Sequence, residues 1–87
     1  MNLTEIILDA IKQRKVLFGY RQSIKEIKSG KPELIVIAKN IPENLRKEIE
    51  HNVKIFNLKM EVFDGSSKDL GILCGKSFPI STLVIKK

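Results

Sequence analysis

Five apolar residues in an unbroken row, Leu34, Ile35, Val36, Ile37 and Ala38, constrain this chain more than any other stretch. The run is rich in β-branched residues and is bounded by Gly30 and Pro32 before it and by Asn40 and Pro42 after it, which marks a strand rather than part of a helix. A strand that is apolar on both faces must be covered on both, so it calls for a sheet with helices above and below.

The rest of the sequence supplies such helices. After Asn2, which has Glu5 three residues on in a capping-box arrangement, Ile6, Ile7, Ala10 and Ile11 recur with helical period and predict a helix over about 3–14. Lys12, Arg14 and Lys15 crowd its C-terminal end, where cations suit the helix dipole. Val16 to Phe18 reads as a short strand. Gly19 then opens a second helix with Tyr20, Ile24 and Ile27 on its apolar side, stopping at Ser29 and Gly30. Pro42 sits at the expected first turn of a third helix of about 15 residues, with Leu45, Ile49, Val53 and Phe56 along one side. Lys59 to Phe63 alternates as a strand up to the Asp64–Gly65 turn, and Ser66 or Ser67 caps a short fourth helix containing Leu70 and Leu73 and ended by Gly75. A last strand covers Thr82 to Ile85. The alternation predicts an α/β fold, a three-layer α/β/α sandwich with a four-stranded mixed sheet, in one domain spanning 1–87.

Sixteen Lys and Arg against ten Asp and Glu leave a net charge of +6, which favours a polyanionic partner. The excess lies at the two ends of the sequence: residues 1–31 hold seven basic and three acidic groups and residues 70–87 hold three and none, whereas residues 32–69 hold six and seven. If those ends meet in space, the fold presents one basic face and one nearly neutral face. The five-residue apolar run is far below the roughly 20 residues that span a bilayer, and the N-terminus lacks the layout of a signal peptide, so a soluble, cytoplasmic protein is expected. A single cysteine, Cys74, agrees with a reducing compartment.

Catalysis has little to stand on. There is one histidine, no glycine-rich dinucleotide or phosphate-loop motif, and no Cys or His pair at metal-binding spacing, so neither an enzyme nor a bound cofactor is expected. His51, beside Asn52 on the third helix, reads as a surface residue. Cys74, among Leu70, Leu73 and Gly75, reads as a partly buried, inert thiol. A binding surface is better supported. A helix opened by Gly19 begins with free backbone N–H groups and the positive end of its dipole, a ready anion site. Arg21, Lys25 and Lys28 follow at i, i+4 and i+7, stacking three cations along one side. Asn40 suits either binding or capping of the helix begun at Pro42. Phe78, in the loop Lys76 to Ile80, has no periodic partner and is either a core plug or an aromatic that meets a base.

Taken in order, Gly19–Tyr20–Arg21, the strand Leu34 to Ala38 leading to Asn40 and Pro42, and Asp69–Leu70–Gly71 with Gly75, Lys76 and Phe78 make the chain resemble, over essentially its whole length, the archaeal and eukaryotic ribosomal L30e family within the L7Ae superfamily of kink-turn RNA-binding proteins. Arg21 and Gln22 after the glycine, and Lys39 and Asn40 after the central strand, favour the L30e branch over those that carry Asn–Glu and an acidic pair there. The resemblance implies a structural protein of the large ribosomal subunit that grips ribosomal RNA at a kink-turn, a sharp bend beside tandem sheared G·A pairs. It implies that Gly19, Tyr20, Arg21 and Gln22 enter the opened groove, that Arg21 and Asn40 reach guanine edges, and that Lys25, Lys28, Lys39 and Lys76 neutralise phosphates. Phe78, Pro79 and Ile80 would form an apolar lip against the extruded nucleotide. The free protein is expected to be a monomer, with neighbouring ribosomal proteins as further partners. The alternatives are a stand-alone kink-turn binder of a small ribonucleoprotein or an mRNA regulator and, more remotely, a small metabolite-binding domain or enzyme.

Overall fold

A computed structural model describes residues 2–30 and 32–87; Lys31, which entered the charge tally, lies outside the described residues. The chain runs α1 (Leu3–Lys12), β1 (Val16–Phe18), α2 (Tyr20–Lys28), β2 (Pro32–Ala38), α3 (Glu43–Phe56), β3 (Met60–Phe63), α4 (Ser67–Leu73) and β4 (Thr82–Lys86). Helix and strand alternate as the periodicities predict, and the four-stranded sheet is mixed. Its order is β1-β4-β2-β3, with β2 and β3 parallel and β4 antiparallel to both β1 and β2. The last strand of the chain is therefore inserted between the first two.

The central run is covered on both sides, as its composition requires. Ile35 and Ile37, with Val84 of β4, face Ile27 of α2 and Ile49 of α3 in one fully buried cluster. Val36 and Ala38, with Leu83 and Ile85, face Ile7 and Ala10 of α1 and Leu70 and Cys74 of α4 in the other. Strand alternation alone divides the two cores.

Local chemistry sets the element ends. The Asn2 Oδ1 accepts from the Glu5 N–H at 2.9 Å. The first helix ends at Lys12, two residues earlier than its pattern predicts, because Arg14 adopts a left-handed conformation (φ 57) and the Lys15 N–H turns back to the Ala10 carbonyl at 3.0 Å. Pro42 lies just outside the third helix rather than in its first turn: its ψ of 138 is extended, and the helix begins at Glu43. For α4 the cap is Ser66, whose Oγ accepts from the Asp69 N–H at 3.2 Å while the Asp69 carboxylate accepts from the Ser66 N–H at 3.0 Å.

The topology gives the sheet two unlike edges. At one, β1, β2 and β3 end and β4 begins, joined by bonds from the Gly19 N–H to the Thr82 carbonyl (2.9 Å) and from the Ala38 N–H to the Ser81 carbonyl (2.8 Å). Helices α2, α3 and α4 all start there. At the other edge β2 and β3 begin and β4 finishes beside the α1–β1 turn, the Lys86 N–H bonding the Lys15 carbonyl at 2.7 Å. The cations do not gather on one face, as the charge distribution along the sequence suggests they would. Arg21, Lys39 and Lys76 lie at the first edge, whereas Arg14, Lys15 and Lys86 lie at the second, because each strand carries its two flanks to opposite ends of the sheet.

Candidate nucleic-acid interface

The rim at the first edge is built from two βα junctions, after β1 and after β2, and from the loop that leads from α4 into β4. At Gly19 the backbone holds φ 95, outside the range open to ordinary L-residues, and this turns the chain from β1 directly into α2. No side chain caps this helix and no acid occupies its first turn. The N–H groups of Tyr20, Arg21 and Gln22 therefore lack intrahelical acceptors and sit at the positive end of the dipole, with the Arg21 and Gln22 side chains exposed beside them.

Tyr20 behaves differently from its neighbours. Its ring packs against the α2/α3 core and its hydroxyl donates to the Glu48 Oε2 on α3 at 2.5 Å. Only its backbone faces the rim; the side chain ties two helices together. Burial, then the Glu48 hydrogen bond and charge, push the phenol up from its ordinary value of 10 to about 12. Between those values the unfolded chain ionises while the folded one does not, so stability falls as pH rises from 10 toward 12. Because the chain has a single tyrosine, its ultraviolet tyrosinate band should titrate near 12 in the folded protein, lower in Glu48→Gln, which removes the carboxylate but leaves the burial, and near 10 once denaturant unfolds the chain.

The second junction follows β2. The Lys39 N–H donates to the Gly65 carbonyl at 2.9 Å, and its ammonium meets Asp64 at 3.4 Å, both side chains well exposed, so the pair is weak and easily exchanged for a phosphate. Asn40 does cap a helix, but not the one begun at Pro42. Its Oδ1 accepts from the Ser67 N–H at 2.8 Å, at the start of α4, because β2 and β3 are parallel neighbours and their outgoing loops run side by side. The amide nitrogen is left over as a donor at the rim.

The third segment enters β4. The Lys76 ammonium stands 4.6 Å above the centre of the Phe18 ring, the residue before Gly19, which joins this loop to the first junction. Phe78 is 53% exposed and Pro79 is also exposed. Ile80 is not part of that lip. It is 1% exposed in the α1/α4 core, and its N–H bonds the Ser67 carbonyl at 2.9 Å, because the chain must turn inward there to enter the central position of β4. Its place beside Phe78 is taken by Ile72, 65% exposed on α4, and the two border a shallow cavity of about 520 Å³ with Lys68, Lys76 and Pro79. Ile72 was missed from the sequence, although an isoleucine out of phase with Leu70 and Leu73 on a short helix is a readable signal.

Gly71 fixes the position of this loop. A Cβ there would lie 2.3 Å from the Phe78 carbonyl oxygen, a contact that only backbone movement relieves. Gly71→Ala should cost about 1–3 kcal/mol in denaturant unfolding and displace Phe78 from the rim.

Lys25 is exposed partway along α2, whereas Lys28 is the last residue of that helix, about 12 Å beyond Tyr20 at 1.5 Å per residue. The resemblance grouped Lys28 with the rim; helix length carries it toward the opposite edge. His51 is exposed on α3, and Cys74 is buried, its thiol pushed up by desolvation against the opposing pull of Lys76. A somewhat larger cavity of about 580 Å³ opens elsewhere, beneath α1, with acids and lysines mixed around an apolar floor. It brings none of the rim residues together.

Comparison with known proteins bears on this architecture. The model of the ribosomal protein L7Ae/L30e/S12e/Gadd45 family matches residues 1–87. The large ribosomal subunit protein eL30 of Methanosphaera stadtmanae is 37% identical over 87 residues, covering all of this chain and 89% of the relative. That of Methanothermobacter thermautotrophicus is 35% identical over 86 residues, 99% of this chain and 88% of the relative. Among solved structures, a 15.5kD RNA-binding protein of Giardia lamblia superposes with a TM-score of 0.87 at 22% identity, covering 98% of this chain and 71% of that one. A family model matched from end to end, with archaeal relatives above 30% identity across the whole fold, means that this chain belongs to the ribosomal protein L7Ae/L30e/S12e/Gadd45 family.

Proposed function

We propose that this protein is a structural constituent of the large ribosomal subunit and that it binds ribosomal RNA at a kink-turn through the rim formed by the β1–α2 and β2–α3 junctions and the α4–β4 loop. The observation that carries the reading is the convergence of the uncapped α2 N-terminus, the Lys39–Asn40 turn and the Lys76–Pro79 loop at one edge of the sheet. Curated relatives bearing the name large ribosomal subunit protein eL30 match the chain nearly end to end and support the ribosomal assignment.

The chemistry follows from the rim. Straight A-form RNA keeps its major-groove base edges out of reach of side chains, whereas a sharp bend opens the groove and extrudes a nucleotide. The free N–H groups of Tyr20 to Gln22 would take a phosphate at the bend. Arg21 can pair in bidentate fashion with guanine O6 and N7, and the unused amide of Asn40 can donate to a neighbouring base. Phe78, with Pro79 and Ile72, offers an apolar surface for the extruded base, while Lys25, Lys39 and Lys76 carry the electrostatic attraction. The role is binding and assembly rather than catalysis, in the cytoplasm with the ribosome, and the nearly neutral residues of α3 leave room for a neighbouring ribosomal protein.

Gel-shift titration against a kink-turn RNA and a straight duplex of equal length tests this directly. Arg21→Ala should weaken kink-turn binding by roughly 1–3 kcal/mol and leave duplex binding nearly unchanged. Equal losses on both RNAs would refute recognition of the bend, and absence from the large subunit on co-sedimentation would favour a stand-alone kink-turn binder.

A further inference from the structure

The sheet edge opposite the rim carries its own row of cations. Arg14 and Lys15 precede β1, Lys86 and Lys87 finish β4, and Lys59 precedes β3, so three of the four strands bring lysine or arginine to this edge. Lys12, Lys28 and Lys54, in the last turns of α1, α2 and α3, lie at the same end. Those three have a local reason to be there, since cations offset the negative ends of helix dipoles. Arg14 and Lys15, just past the end of α1, share that reason in part, whereas Lys59, Lys86 and Lys87 have none. Among the described residues the ion pairs are Lys39–Asp64 and Arg46–Glu50, and neither involves this edge. Asp9, Glu33 and Glu61 are the nearby acids, lining one cavity with Lys15, Lys59 and Lys86; Asp9 accepts from the Gln13 side chain at 2.8 Å, and the cations of the row outnumber the three. Three strand spacings of about 4.8 Å make the row about 14 Å wide, which suits a stretch of sugar–phosphate backbone.

We propose that this edge is a second phosphate-contacting surface, one that holds the backbone of a separate RNA segment while the rim holds the kink-turn, so that the protein bridges two RNA elements. The proposal rests on the RNA-binding reading for the nature of the polyanion, but not on recognition of a bend. Four lysines and one arginine set along the strand ends favour phosphates over base edges, so binding there is sequence-independent and salt-sensitive. Four phosphate contacts imply a loss of roughly 100-fold in affinity between 50 and 200 mM salt.

A sandwich assay tests it with the full chain. Kink-turn RNA is immobilised, protein is bound, and capture of a labelled straight RNA duplex is measured at low salt. Wild-type protein should capture the duplex. The combined variant Arg14→Gln, Lys15→Gln, Lys59→Gln and Lys86→Gln, its folding checked by thermal melting, should retain kink-turn affinity and lose at least about ten-fold of the capture. Lys59→Glu alone, at an exposed position, should reduce capture in the same direction and serves if the combined variant does not fold. No capture by wild-type protein already seated on the kink-turn, or undiminished capture by either variant, would overturn the bridge. Failure of the kink-turn reading has a different appearance: protein that binds the duplex in solution yet is not retained by immobilised kink-turn RNA.

Discussion

Ile80→Ala should destabilise the fold by about 2–5 kcal/mol, whereas Phe78→Ala, two residues earlier in the same loop, should change stability by no more than about 0.5 kcal/mol. Ile80 is fully enclosed among Ile7, Leu70 and Leu83, so truncation removes its transfer energy and leaves a cavity that rigid sheet and helix walls cannot close. Phe78 is more than half exposed and has little packing to lose. On RNA the order reverses. Losing a stacking platform for the extruded base costs roughly 1–3 kcal/mol, so Phe78→Ala should weaken kink-turn binding while Ile80→Ala, assayed where it remains folded, should bind nearly as wild type. Denaturant unfolding and gel-shift titration on the same two proteins give the four values, and a stable Ile80→Ala with impaired RNA binding would return that residue to the lip.

Features written in local periodicity were legible in the sequence. The doubly apolar run of β2 and the i, i+3, i+4 faces of α1 to α3 each depend on neighbours within a turn or two, so they gave the layers of the sandwich directly. What remained hidden was non-local. Insertion of β4 between β1 and β2 pairs the chain's end with its beginning, and no spacing rule encodes that; yet it decides which edge each lysine occupies. Arg21 and Lys28 share one helical stripe, but the length of α2 sends them to opposite ends. Phe78 and Ile80 are both apolar and lie in a loop without period, so the inward one is set only by where the next strand enters the sheet. Tyr20 offered both a polar tip and an apolar body, and a carboxylate 28 residues away determined that the tip turns toward α3.

Asn40 is the position where folding and recognition separate most cleanly. Asn40→Ala removes the acceptor for the Ser67 N–H, leaving the start of α4 short of a partner, and should cost about 0.5–2 kcal/mol of stability. Asn40→Asp keeps an oxygen in that place and sets a negative charge at the N-terminus of α4, where the dipole favours it, so at neutral pH the protein should be as stable as wild type. Both variants lose the amide donor at the rim, and the aspartate also repels phosphate. RNA binding should therefore fall in both, by roughly 1–3 kcal/mol for alanine and at least as much for aspartate. If the aspartate variant binds kink-turn RNA as wild type does, Asn40 serves α4 alone, and the central junction of the rim contributes Lys39 only.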